Sequence, residues 1–375
     1  MRGLLPIAGL ILAAVMASAD ARGDETPALP PGLDELVTRD RSAEGVEERS
    51  FTNSAMASAS GAYISGDYAM ALIHAERAAA GGEARGATLA GHILLHGLSG
   101  EPDEAGAVRW LRRAAELNEP DALIVLARLA EAGRAGLSPW QAREYLSRAA
   151  EAGDVRAAHE YGLYLMERTD PGAAPAAMDW LRLAAEGGRE DAFVDYAYAL
   201  GEWAHGPQDL TAARLWYERA GEAGVPFGAL MAGTMHLHEE GEGADPARGA
   251  QLVRMAAESG LAAAMGQYAL LLYEGAPGLP ADPANAAHFA QQGARRGDPE
   301  SQFLYAYALA TGDGTARDLE EAYVWAVRAG ITRSGEMADD PDRQRLEAAL
   351  SRALDAETLE RLRQRAQLPA DTRLR

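Results

Sequence analysis

The feature that most constrains this chain is an internal repeat with a period near 36 residues. Two adjacent small residues recur as Ala78-Ala79, Ala114-Ala115, Ala149-Ala150, Ala184-Ala185, Ala220-Gly221, Ala256-Ala257, Gly293-Ala294 and Ala329-Gly330. Successive spacings are 36, 35, 35, 36, 36, 37 and 36 residues. A period in this range, with few internal prolines, marks an α-solenoid. Each unit is one helix pair that cannot bury its apolar face alone, so neighbours must stack.

Other positions keep phase with the pair. Four residues before it stands a large side chain, Trp110, Tyr145, Trp180, Trp216, Leu252, Phe289 or Trp325, with His74 as the exception. Three residues earlier again is a small one: Ala71, Ala107, Ala142, Ala177, Ala213, Gly249, Ala286 or Ala322. Small, large and small at spacings of three and four share one helical face. This stretch reads as helix B of each unit, its aromatic filling the core while the small residues admit a neighbouring helix.

Three residues past the pair comes Gly82, Asn118, Gly153, Gly188, Gly224, Gly260 or Gly297, the residue types that a left-handed helix end favours. A second helix, A of the next unit, follows. Its own small residue is Gly91, Ala127, Gly162, Ala197, Gly233, Ala269 or Ala306, always 12 residues after the second member of the pair. The other connection varies from 23 to 25 residues. The B-to-A turn is therefore geometrically fixed, while the A-to-B loop is exposed and free to vary. Glycine-rich loops such as Gly312-Asp313-Gly314 and Gly275-Ala276-Pro277-Gly278 read as turns at helix corners, because no basic residue suited to phosphate accompanies them.

With these residues in view, the unit resembles the Sel-1-like repeat, a tetratricopeptide-like helix pair. The family pattern is a small residue in helix A, a Gly-x-Gly loop ending in aspartate, then Ala-x-x-Trp and Ala-Ala before glycine. Gly312 to Gly330 matches it best, through Asp318, Ala322 and Trp325, and the resemblance runs from Gly66 to Gly330. It departs where His74 and Leu252 replace the aromatic, where Gly293 and Gly330 enter the alanine pair, and where Arg168 replaces a loop glycine. Repeat and resemblance together predict an all-α fold, a right-handed α/α superhelix of seven to eight helix-turn-helix repeats.

The repeats stop short of both ends. Arg2 followed by the apolar run Leu4–Met16 and then Ala17-Ser18-Ala19 predicts a signal peptide over 1–19, cut after Ala19. Residues 20–43, with Pro27, Pro30 and Pro31, read as a disordered linker. The solenoid is expected over 44–336, with Glu44–Ser65 supplying the partner of the first helix B. Leu346, Leu350, Leu354, Leu359 and Leu362 then recur at helical spacing, so 337–375 is expected to hold capping helices and a tail. The mature protein is expected in the periplasm or outside the cell, with no stable membrane insertion.

Composition narrows the chemistry. The 35 basic residues are all arginine and cysteine is absent, which excludes lysine Schiff bases, phosphate loops that need a lysine, thiol nucleophiles and disulfides. A formal charge of −21 repels phosphate backbones, so nucleic acid is not an expected partner. His92 and His96 stand at ligand spacing, but their repeat positions hold Arg128, Tyr198 and Tyr307 or Glu167, Glu202 and Glu274 elsewhere, which reads as a solvent-facing row. His236-Leu237-His238 is a weaker candidate. No serine-nucleophile elbow is present, and adjacent carboxylates such as Glu239-Glu240 are expected from composition alone. Neither a cofactor nor a metal is expected.

The resemblance implies an adaptor: a non-catalytic, protein-binding scaffold whose A helices line a concave groove. By analogy with tetratricopeptide packing, the exposed groove positions are His92, Arg128, Tyr198 and Tyr307, one residue after the small residue; His159, three before it; and Glu167, Glu202 and Glu274, five after it. The expected partner is a protein or peptide with a basic patch. The competing reading is a secreted hydrolase of cell-wall or β-lactam substrates, described for cysteine-rich relatives whose disulfides this chain lacks.

Overall fold

The computed structural model describes residues 55–168, 172–331 and 340–367. The expected signal peptide, the linker and residues 44–54 of the expected solenoid lie outside them. The described residues form 18 helices and no strand. Contacts group them into two units, one ending at Ala192 and the other beginning at Phe193.

The first unit holds α1 (Ala55–Ile64), α2 (Tyr68–Ala80), α3 (Ala84–Leu95), α4 (Glu104–Glu116), α5 (Pro120–Glu131), α6 (Pro139–Glu151), α7 (Val155–Met166) and α8 (Ala173–Glu186). The division falls inside α9 (Glu190–Gly201). The second unit continues with α10 (Leu210–Glu222), α11 (Pro226–Leu237), α12 (Pro246–Glu258), α13 (Ala262–Glu274), α14 (Pro283–Arg295), α15 (Pro299–Thr311), α16 (Leu319–Ala329), α17 (Pro341–Ala353) and α18 (Ala356–Ala366). Odd-numbered helices up to α15 are the A helices and even-numbered ones up to α16 the B helices. Consecutive helices pack on each other from α1 to α8 and again from α10 to α16. Each unit is thus a run of stacked helix hairpins, an α/α solenoid.

The fixed 12-residue spacing has a bond-level cause. At the first B-to-A turn the Gly82 N–H donates to the Ala79 carbonyl at 3.1 Å and the Glu83 N–H to the Ala78 carbonyl at 3.0 Å. The same two bonds recur at Asn118/Glu119, Gly153/Asp154, Gly188/Arg189, Gly224/Val225, Gly260/Leu261 and Gly297/Asp298. They require a left-handed residue between them, and φ runs from +53° at Asn118 to +95° at Gly260. Six B helices begin on a capping aspartate: Asp67, Asp103, Asp209, Asp245, Asp282 and Asp318 each accept a backbone N–H of the first turn.

Packing corrects one sequence expectation. The aromatic of helix B does not fill the core in every unit. Tyr145, Leu252 and Trp325 are buried, but Trp110, Trp180, Trp216 and Phe289 are half-exposed. The next residue along is the buried one: Leu111, Leu146, Leu181, Tyr217 or Val253. In three units it lands on the small residue of the preceding helix A. A Cβ at Gly91 would lie 2.7 Å from Leu111 Cγ, one at Gly162 2.9 Å from Leu181 Cγ, and one at Gly233 2.8 Å from Val253 Cγ2. The aromatic lies at the rim of this contact, its ring edge against a helix A aromatic in Tyr161–Trp180, Tyr196–Trp216, Tyr268–Phe289 and Tyr305–Trp325.

Helices α17 and α18 pack on the outer side of α16 and bury Leu350, Leu362 and Ala366 there. Arg361 pairs with Glu320 at 2.7 Å, Arg365 pairs with Glu321, and Arg363 donates to the Tyr323 hydroxyl at 3.1 Å. Arg343 is buried with its guanidinium against Gly330, where a Cβ would approach Cζ to 2.5 Å. Glu347 balances its charge at 2.7 Å.

Two glycine-to-alanine substitutions are expected to act in opposite directions. A Cβ at Gly228 would sit 2.4 Å from Ala220 Cβ and 2.9 Å from the Tyr217 carbonyl oxygen. Overpacking against backbone costs about 1–3 kcal/mol, more than the roughly 0.8–1 kcal/mol that alanine gains over glycine inside a helix. Gly61 has nothing within 4 Å of its would-be Cβ. Gly228→Ala should therefore lower the thermal unfolding midpoint and Gly61→Ala raise it, as followed by helical circular dichroism.

Candidate functional site

The helix A positions expected at the groove divide into exposed and buried. In the first unit, Arg128 on α5 is exposed and pairs with Glu160 of α7 at 3.6 Å, and Glu167 is exposed just past the end of α7. His92 and His159, expected to face solvent, do not: they are 2% and 5% exposed. The Tyr63 hydroxyl of α1 lies 3.2 Å from His92 Nε2, and the His92 and His96 ring centroids are 4.5 Å apart. Burial, and then the charge of His96, push the His92 imidazole down to about 4. His159 accepts the Arg189 Nε–H at Nδ1 over 3.1 Å, a bond from the following B-to-A turn that closes over the ring.

In the second unit Tyr198 and Glu202 are half-buried, while Glu274 and Tyr307 are exposed. The Tyr217 hydroxyl donates to Glu202 at 3.0 Å, and burial is the main cause that raises the Glu202 pKa above the usual carboxylate range.

Neighbouring A helices are tied to each other along this face. Arg128 reaches Glu160, and Thr234 of α11 bonds Gln267 of α13 at 3.1 Å. In each case the residue after the small residue of one A helix meets the residue two before the small residue of the next. Sequence reasoning missed this rung, although the polar pairs Arg128/Glu160 and Thr234/Gln267, about one period apart, are its readable trace.

One cavity gathers two of the expected residues. A hollow of about 620 Å3 lies between α13, α15 and α17, lined by Leu270, Tyr273, Glu274, Phe303, Leu304, Tyr307, Asp313, Asp342, Arg345 and Leu346. Tyr273 and Tyr307 stand edge to face with centroids 6.4 Å apart. The Tyr273 hydroxyl is buried with no hydrogen-bond partner among the described residues, and burial together with Asp313 pushes its phenol up to about 12. Asp342 and Arg345 form an ion pair at 3.0 Å on the α17 wall. The repeat pattern could supply Glu274 and Tyr307, but not α17, which lies outside the period.

A second hollow of about 530 Å3 lies in the first unit, with Arg143, Tyr161, Tyr164, Arg168 and Trp180 among its lining. Its polar groups are already engaged with one another: the Arg143 guanidinium donates to the Tyr164 hydroxyl and sits 5.4 Å from that ring's centroid. A buried polar knot holds α10, α11 and the following loop. Arg214 donates to Glu218 at 2.8 Å and to the Glu242 carbonyl at 2.6 Å. His236 accepts the Asp245 N–H at Nδ1, which assigns its proton to Nε2, 2.8 Å from Glu218. The His236-Leu237-His238 segment thus places its buried histidine in a structural network. Among the described residues no group of three or more His, Asp or Glu is arranged to hold a metal ion, and no helix is long and apolar enough to cross a membrane.

The Sel1 repeat family model matches residues 53–83, 84–119, 121–154, 156–188, 194–225, 226–261, 262–298 and 299–330, one match for each A–B hairpin. The chain belongs to the Sel1 repeat family. Proteins of this family are typically protein–protein interaction scaffolds. Among solved structures, a Sel1 repeat protein from Oxalobacter formigenes aligns at 21% identity over 93% of this chain and 99% of its own, with a TM-score of 0.57. A protective antigen of uropathogenic Escherichia coli, described as displaying an SLR fold, aligns at 18% identity over 97% and 94%, with a TM-score of 0.55. A chitin synthase regulator of Saccharomyces cerevisiae, SKT5, is 27% identical over 277 residues, which are 72% of this chain and 36% of that protein. The chain thus spans about a third of that relative's length.

The buried His92 predicts how acid acts on the first unit. In the unfolded chain an imidazole takes up its proton near 6.5, whereas folded His92 refuses it until about 4. The stability this group supplies is complete above pH 6.5 and is lost as pH falls toward 4. His92→Gln should flatten the decline of urea stability across that window by at most about 3 kcal/mol at its acid end. Parallel curves for the two proteins would overturn the assignment.

Proposed function

We propose that this protein is an exported, non-catalytic scaffold or regulator of a cell-envelope or signalling assembly, and that it binds a protein partner along its helix A faces. The observation that carries the reading is the convergence of the exposed Glu274 and Tyr307, two positions expected at the groove, on one aromatic and acidic cavity. Family membership supports the scaffold role. The yeast relative, described as a regulator of chitin synthase, supports regulation of an envelope-building enzyme. Export rests on Arg2, the apolar run to Met16 and Ala17-Ser18-Ala19. A chain charge of −21 favours a partner with a basic patch and association that weakens as salt rises.

Photo-crosslinking residues placed at Tyr198 and Tyr307 should capture a protein in cells, with less captured at higher salt. Met255, exposed on helix B α12, serves as the opposite-face control. Crosslinks at Met255 alone would overturn the assignment to the A face. Capture of no protein at any of the three positions would overturn the scaffold reading.

A further inference from the structure

We infer that the cavity between α13, α15 and α17 receives one basic side chain of the partner, an arginine or lysine next to an apolar residue. The inference rests on the scaffold reading and adds the chemistry of the contact.

The lining has three parts. Tyr273, Phe303 and Tyr307 supply aromatic rings, and Leu270, Leu304 and Leu346 make an apolar wall. Glu274, Asp313 and Asp342 are set against one cation of the described lining, Arg345, which Asp342 already pairs. Glu274 and Asp313 have no ion-pair partner among the described residues, so the described lining carries a surplus of negative charge.

An aromatic surface beside unpaired carboxylates attracts a cation twice, through the ring quadrupole and through direct Coulomb attraction. The fold uses the first contact elsewhere: Arg219 lies 4.9 Å from the Trp216 centroid and Arg328 5.0 Å from that of Trp325. The field of Asp313 already bears on Tyr273, whose phenol it helps to hold protonated. The same charge repels phosphate and carboxylate ligands. At about 620 Å3 the cavity exceeds one side chain, so an apolar neighbour of the basic residue can enter against Leu270 and Leu346.

The test uses the full chain and two fluorescein-labelled octapeptides at low salt. One is Gly-Ser-Leu-Arg-Leu-Arg-Gly-Ser; the other replaces each arginine with citrulline, which keeps the shape and removes the charge. The arginine peptide should bind about tenfold tighter or more, as for a gain near 1.4 kcal/mol. Asp313→Asn with Glu274→Gln should erase that difference, and Tyr307→Ala should weaken the arginine peptide severalfold. Glu274 and Tyr307 are exposed, and an unchanged melting curve confirms that each variant folds. Equal binding of the two peptides, failure of both to bind, or an unaffected double variant overturns the inference. Displacement of the arginine peptide by spermidine at equal affinity overturns it too, by making the ligand a small cation. In each of these outcomes, crosslinks captured at Tyr198 would leave the scaffold reading standing.

Discussion

The distance of closest approach between helices A and B is the constraint on which the rest of this fold depends. Each unit contains two close crossings, and at both a single carbon atom decides whether the helices meet. Within a hairpin, Gly91, Gly162 and Gly233 lie under Leu111, Leu181 and Val253 with no room for a Cβ. Ala269 and Ala306 hold the same place where the helix B residue is Ala290 or Ala326. Across the turn, the first small residue of the pair faces the residue eight further on, as Ala78/Gly86, Ala114/Ala122 and Ala220/Gly228. Glycine meets a branched side chain in three hairpins and alanine meets alanine in two, while Leu146 and Tyr217 hold the helix B position in the units whose helix A residue is Ala127 or Ala197.

The same rule explains two departures from the repeat pattern. Gly293 stands where alanine is usual because Ser301, rather than glycine or alanine, occupies the facing position; a Cβ there would lie 2.1 Å from Ser301 Oγ. Gly330 opens the space that the Arg343 guanidinium fills. Both look like weakened repeats in the sequence and are compensated contacts in the structure. Gly330 also shows how α17 docks on α16: through a buried charge that Glu347 balances, and not through another small–small crossing.

Much of the fold was legible because its determinants are local and repeated. The seven left-handed turn residues follow from the need for glycine or asparagine at one place, and the fixed spacing from the two bonds each turn makes. The candidate site was less legible. His92 and His159 share a helical face with Arg128 and Tyr307, yet side chains from other segments cover them: Tyr63 from α1 and Arg189 from the next turn. Helical phase fixes where a side chain points but not what lies across from it. The role of the helix B aromatic was misread for a related reason. Trp180 and Leu181 are adjacent, and only the crossing geometry decides which of them meets Gly162.

A solenoid made of equivalent units offers a partner a repeating surface, which gives reach but little register. Register requires a place where the repetition breaks. In the second unit that place is the cavity at α17, where two A helices bring Tyr273 and Tyr307 together and a helix outside the period supplies Asp342, Arg345 and Leu346. Elsewhere on each unit's A face a rung joins neighbouring helices, Arg128 to Glu160 in the first unit and Thr234 to Gln267 in the second. Glu274 and Asp313 keep no ion-pair partner among the described residues and lie beside the exposed Tyr307. A partner that slid along the second unit's A face toward α11 would exchange this cavity for the Thr234–Gln267 rung. The energetic difference between those two positions is what would fix its register.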